Sequence, residues 1–99
     1  MSEYVISRPA IRDLESISSY FADVQVEAGE KFLQGFSKRC KQLASFPKIG
    51  RSYDDLQVGL RGLSLEGYII LYRMVDDGIE IVRVVNGRQY LRLLFDKLN

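Results

Sequence analysis

Histidine does not occur anywhere in these 99 residues. Its absence removes Ser-His-Asp and Cys-His catalysis, the usual zinc ligand sets and the commonest general base at neutral pH. Any catalysis must rest on Arg, Lys, Tyr or carboxylates, and no metal or cofactor set is expected. Cysteine occurs once, at Cys40, so no intramolecular disulfide can form, which suits a reducing cytosol. Cys40 falls on the apolar stripe of a helical pattern, the setting of a buried structural thiol rather than a reactive one. Apolar runs long enough to span a bilayer are missing. The N-terminus, with Glu3 and Arg8 and few apolar residues between them, does not read as a signal peptide. A cytoplasmic protein that does not engage a membrane is expected.

An excess charge of one sign is also missing. Fourteen basic residues face 13 acidic ones, a net charge of +1, which gives no general case for nucleic acid. The distribution is less even. Glu3, Asp13, Glu15, Asp23, Glu27 and Glu30 face only Arg8 and Arg12 in the first 30 residues. Residues 31–51 carry Lys31, Lys38, Arg39, Lys41, Lys48 and Arg51 with no acid at all. Such a block either steers an anionic partner or is simply a solvated helix face.

The length suits one domain, 1–99, with a modest core. Tyr4–Ile6 reads as a short strand. Ser7 is placed to cap a helix, with Pro9 tolerated in its first turn. Ala10, Leu14, Ile17 and Phe21 then recur at helical spacing, giving a helix over about Arg8–Ala22. After a break around Asp23–Gln25, Ala28, Phe32, Phe36, Cys40 and Leu43 mark a second helix ending near Ser45. Gly29 and Gly35 either weaken it or allow close packing against the first helix. Pro47 ends it by disfavouring helical geometry at Phe46. Residues 51–57 read as loop.

Three strand-like segments follow, Val58–Leu65, Tyr68–Met74 and Ile79–Val85. Two-residue turns at Glu66-Gly67 and Asp77-Gly78 would pair Arg61 with Tyr72, and Tyr72 with Arg83, in one row across the sheet. A three-residue turn at Asp76-Asp77-Gly78 would instead pair Val75 with Ile79 and move the row by one position. Asn86-Gly87 is a turn signal that makes Arg88–Phe95 a fourth meander strand, yet Leu91, Leu94, Phe95 and Leu98 fit a short helix equally well. The reading is an α+β fold, β-α-α-β-β-β, with a helical hairpin on one face of a small antiparallel sheet.

That sheet has more apolar surface than one helical hairpin covers. The run Tyr68–Tyr72 wants cover on both faces. Ile79, Ile81 and Val85 are expected on one face, Val82 and Val84 on the other. Leu63, Leu65, Ile70, Tyr72, Met74 and Ile81 are expected on the open face, where a protein partner, the C-terminal segment or a second copy would cover them. Arg61 either meets a target or pairs with Asp54, Asp55 or Glu66, and Tyr72 is more a packing residue than a catalytic one.

Several of these segments together resemble the ParE branch of the RelE/ParE toxins, the toxin halves of bacterial type II toxin–antitoxin pairs. They are Phe46-Pro47-Lys48-Ile49-Gly50-Arg51, Gly59-Leu60-Arg61, Tyr68–Arg73 and Ile79–Val85. Arg8-Pro9-Ala10 and Asp13-Leu14, with Ile17 and Tyr20, extend the likeness over nearly the whole chain. The resemblance implies a compact α+β fold with a cognate antitoxin lying in a groove, contacting Leu63, Leu65, Ile70, Tyr72, Met74 and Ile81. It implies one of two activities: poisoning of DNA gyrase, as in ParE-like members, or cleavage of messenger RNA on the ribosome, as in RelE-like ones. Arg61 resembles the family's arginine on the first meander strand. A ribonuclease would draw on Arg61, Arg83, Arg88 and Tyr90, but the end that often carries Tyr or His in such nucleases reads Leu93-Leu94-Phe95 here. A ParE-like inhibitor that is not an enzyme is therefore favoured, with Arg61, Arg83, Arg88, Tyr90 and Arg92 facing the target. A non-toxic binding module is the third reading. The chain departs from many members at Asn86, where they have histidine, and at Gln89-Tyr90, where they have an Arg-Asp-like pair.

Overall fold

The structure, a computed structural model, describes residues 3–87. Two helices pack on a five-stranded sheet. In chain order the elements are β1 (Glu3–Ile6), α1 (Arg8–Val24), α2 (Val26–Ser45), β2 (Arg51–Ser52), β3 (Arg61–Leu65), β4 (Tyr68–Val75) and β5 (Gly78–Asn86). The strands lie in the order β1-β5-β4-β3-β2.

Ser7 starts α1 as its sequence predicts, its side chain accepting a hydrogen bond from the Ala10 N–H at 3.2 Å. Gln25, with extended backbone, is the single residue between the two helices. Ala10, Leu14 and Ile17 of α1 and Phe32, Phe36, Cys40 and Leu43 of α2 form one buried stripe. Gly29 is glycine because a Cβ there would lie 2.9 Å from the Ser18 carbonyl oxygen of α1. Gly35 faces the sheet instead, where a Cβ would stand 3.2 Å from Leu65 Cδ1.

The sheet is mixed rather than purely antiparallel, because β1 pairs with β5 in parallel, from Glu3↔Gly78 to Ile6↔Ile81. The helical hairpin carries the chain across the sheet between β1 and the meander, so the first strand lies beside the last one described. The expected loop 51–57 also opens with a short edge strand. Gly50 brings that strand in: a Cβ would collide with the Tyr72 side chain and crowd the Gly62 carbonyl, and Arg51 and Ser52 then pair with Gly62 and Arg61.

The first hairpin has the expected register, Arg61↔Tyr72 through Leu65↔Tyr68, with the turn at Glu66-Gly67. Both turn residues have positive φ, 50° and 84°, the geometry of a type I′ turn. The second hairpin differs. Its turn is Asp76-Asp77, with Val75 opposite Gly78 and Tyr72 opposite Ile81. A bulge follows, since Leu71 pairs with Arg83 and leaves Val82 as the extra residue. The expected pairing of Tyr72 with Arg83 does not form.

The bulge also re-sorts β5. Ile79, Ile81 and Val84 join the core under the helices, while Val82 and Val85 pack on the opposite face with Leu60, Leu71, Tyr53 and Leu56. The expected open face is the covered one. Leu65, Ile70, Tyr72 and Ile81 are buried in the helix-side core and Leu63 is packed against it. Of that group Met74 is exposed, at the far end of β4. No described helix is long and apolar enough to cross a membrane.

Candidate functional site

Arg61 and Tyr72 sit side by side on the helix-facing surface and grip the segment that leaves α2. The Tyr72 hydroxyl donates to the Pro47 carbonyl at 2.7 Å and accepts from the Gly50 N–H at 3.0 Å. Burial pushes the phenol above its ordinary pKa, while the Gly50 N–H and the Arg61 charge act the other way. A fully buried phenol with both hydrogen-bonding roles taken is a packing residue, not a free base. Arg61 reaches the Lys48 carbonyl through Nη2 at 3.4 Å, and its buried Nε has no hydrogen-bond partner. Asp54, one expected partner of Arg61, instead accepts the Gly59 N–H at 2.8 Å. Nearby, the Arg51 guanidinium lies 5.3 Å from the Tyr53 ring centre. Lys48, Arg51 and Arg61 therefore form a basic corner at the end of α2, with Lys48 and Arg51 exposed.

Arg83 lies elsewhere. Its Nε and Nη2 donate to the two carboxylate oxygens of Asp13 at 2.7 and 3.0 Å, a two-pronged ion pair. That carboxylate holds the guanidinium pKa above its ordinary value. The same Asp13 Oδ2 accepts the Val84 N–H at 2.9 Å, and the Ser7 hydroxyl donates to the Val82 carbonyl at 2.8 Å. The start of α1 thus takes over the edge of β5 just where β1 stops, and it holds the bulge. The sequence contains a signal for this: Asp13 is three residues after the core residue Ala10 and directly before Leu14, so it stands at the rim of the buried stripe. A carboxylate there needs a cation or backbone donors.

A third feature went unread in the sequence. A groove runs between α2 and the β3–β4 turn. One part, about 240 Å³, is bounded by Phe21, Lys31, Phe32 and Leu65. A second part, about 330 Å³, is bounded by Lys38, Arg39, Leu65 and Glu66. Phe21, Phe32 and Tyr68 meet beside it, with ring centres 5.3–6.1 Å apart. Of the expected site residues, the structure brings Arg61 and Tyr72 together, gives Arg83 to Asp13, and sets Leu65 on the groove floor. Arg88, Tyr90 and Arg92, with the strand-or-helix question for that segment, lie outside the described residues.

Comparison with known proteins gives a consistent picture. Residues 4–91 match the sequence model described as the ParE toxin of the type II toxin–antitoxin system parDE. The chain is 32% identical over 95 residues to Toxin ParE3 of Caulobacter vibrioides, covering 92% of each chain. It is 33% identical over 89 residues to Toxin ParE1 of Mycobacterium tuberculosis, covering 88% of this chain and 91% of the relative. A solved structure, described as a chromosomal ParDE TA system from P. aeruginosa, superposes with a TM-score of 0.73 at 24% identity. It covers 87% of this chain and 96% of its own, and shows the shared fold.

Proposed function

Because the chain belongs to the ParE toxin family of type II toxin–antitoxin systems, we propose that it inhibits DNA gyrase in the cytoplasm until a cognate antitoxin binds it. The observation that carries this reading is the family match, which runs through residues 4–91 and so spans both helices and every described strand. One toxin domain over residues 1–99 accommodates it.

The chemistry of the basic residues supports an inhibitor that acts by binding. RNA cleavage without a metal needs a base for the 2′-hydroxyl and cations aimed at the phosphate. Tyr72 is committed to Pro47 and Gly50, and Arg83 to Asp13. Arg61 with Arg88, Tyr90 and Arg92 is the set proposed to face the target. The Nε of Arg61 has no partner among the described residues, but it is buried and so is not presented to a phosphate oxygen.

Purified gyrase, assayed for supercoiling and for DNA cleavage with this protein free of any antitoxin, tests the reading. Inhibition, or accumulation of the cleaved complex, is the expected result. No effect at a large molar excess overturns it. Cleavage of ribosome-bound messenger that is lost on Arg61→Ala, in a protein that still folds, would then assign the nuclease activity.

A further inference from the structure

The basic corner at the end of α2 holds three cations, and no ion pair joins any of them to a carboxylate among the described residues. Those ion pairs are Arg73–Glu80 and Arg83–Asp13, and they leave out Lys48, Arg51 and Arg61. Asp54 and Asp55 follow in the chain, and Asp54 is held by the Gly59 N–H at 2.8 Å. The C-terminus of a helix attracts a cation, which accounts for Lys48 alone. Arg51 and Arg61 stand on strands. Arg61 is half-buried, and its hydrogen bond is to the Lys48 carbonyl. A guanidinium drawn partly out of water with no carboxylate beside it favours an anion at the corner.

The segment that carries Lys48 is fixed from behind. Tyr72 holds the Pro47 carbonyl and the Gly50 N–H, and Arg61 holds the Lys48 carbonyl. On this fixed segment Phe46 is 63% exposed and Ile49 is 47% exposed. An aromatic ring therefore lies open in the same six residues as exposed Lys48 and Arg51. The Arg51 guanidinium is steadied in turn, 5.3 Å from the Tyr53 ring centre. An open ring among cations is the chemistry that holds a nucleic-acid strand: the cations meet phosphates and the ring meets the face of a base. The net charge of +1 makes no general case for nucleic acid, and the case here is local.

We propose that this corner holds a single strand of DNA without regard to its sequence, with phosphates on Lys48 and Arg51, in the field of Arg61, and one base against Phe46. Arg61 contributes charge rather than contact through its Nε, which is buried. Two phosphate contacts make a weak site, one that matters beside a partner already holding DNA. The inference deepens the proposed function, on which it rests for naming DNA rather than RNA: gyrase opens DNA strands, and an inhibitor bound to it has them within reach.

The test uses the full chain and a short labelled DNA strand of mixed sequence, beside an RNA strand of the same sequence, with fluorescence anisotropy at several salt concentrations. The chain binds the DNA strand at low salt. Lys48→Gln with Arg51→Gln weakens binding at least about tenfold and lowers the slope of log affinity against log salt by about 1.4. Phe46→Ser weakens binding at least about fivefold and leaves that slope unchanged. Lys31→Gln with Lys38→Gln, on α2 away from the corner, keeps the slope. Circular dichroism checks that each variant folds, and all of the exchanged side chains are exposed. No binding at low salt overturns the proposal, as does tighter binding of RNA than of DNA. Equal weakening by the two charge variants, or a Phe46→Ser variant that binds unchanged, overturns it too. Gyrase is absent from this assay, so the two readings fail separately. DNA binding without gyrase inhibition removes the proposed function, and inhibition by a chain that holds no DNA removes this inference.

Discussion

Asp13 acts on two partners at once, neutralising Arg83 and accepting the Val84 N–H. Asp13→Ala leaves a half-buried guanidinium and a backbone donor unmatched, and should lower stability by about 1–3 kcal/mol. Arg83→Met should cost less, because Asp13 keeps the Val84 N–H; urea unfolding of both variants checks the order. Cys40 gives the pH-dependent counterpart. Burial pushes its thiol from 9.0 up to about 12. The folded state therefore holds the proton that the unfolded chain gives up first. The stability this contributes is complete below about 9 and is lost as pH rises toward about 12. Urea midpoints measured at neutral and strongly alkaline pH should fall further in the natural chain than in Cys40→Val. The buried-thiol reading was available from helical spacing, because Cys40 shares a stripe with Phe36 and Leu43. The Asp13–Arg83 pair was not, because 70 residues separate its members and only the parallel placement of β1 brings them together.

At the level of elements, Gly78 shows how a residue can be read for the wrong reason. Beside Asp77 it has the look of a hairpin turn. The turn is Asp76-Asp77, and Gly78 is already in β5. It is glycine because any Cβ there would collide with the Glu3 carbonyl of β1. Gly78→Ala should therefore damage the β1–β5 pairing and cost about 1–3 kcal/mol, the range of an overpacked site. Loss of amide-exchange protection confined to residues 3–6 and 78–81, with β3–β4 protection kept, checks that the damage is local. Although α1 runs on through Asp23 and Val24 and leaves Gln25 alone between the helices, the start of α1, the end of α2, the Ser7 cap and the register of the β3–β4 hairpin were legible, since each is set by contacts only a few residues apart. The parallel strand, the short β2 and the Val82 bulge were not, since each depends on a distant neighbour. The turn shifts the register by two residues and so keeps each side chain on its face; the bulge alone exchanges Val84 and Val85 between faces. The expected partner surface kept its membership on β3 and β4, and the helical hairpin covers that face rather than the other.

Across the whole molecule, near-neutral net charge conceals a separation of surfaces. The basic residues from 31 to 51 line the groove by β3 and the corner around Arg61, while Asp13 is turned inward to Arg83. One sheet face is sealed by the helical hairpin, and the other carries a smaller apolar cluster built on Leu60, Leu71 and Val85. The groove between α2 and the β3–β4 turn thus lies on the sheet's flank rather than on its face. β5 has a further consequence, one of timing. The first strand finds its neighbour only in residues 78–81, and Ser7 finds the Val82 carbonyl 75 residues later in the chain. At roughly 5–20 residues per second, a translating ribosome needs about 4–15 s to span that interval. Throughout it the nascent N-terminus has no sheet to join. The sheet cannot be completed until residues 78–82 have emerged, seconds after the strand that closes its edge.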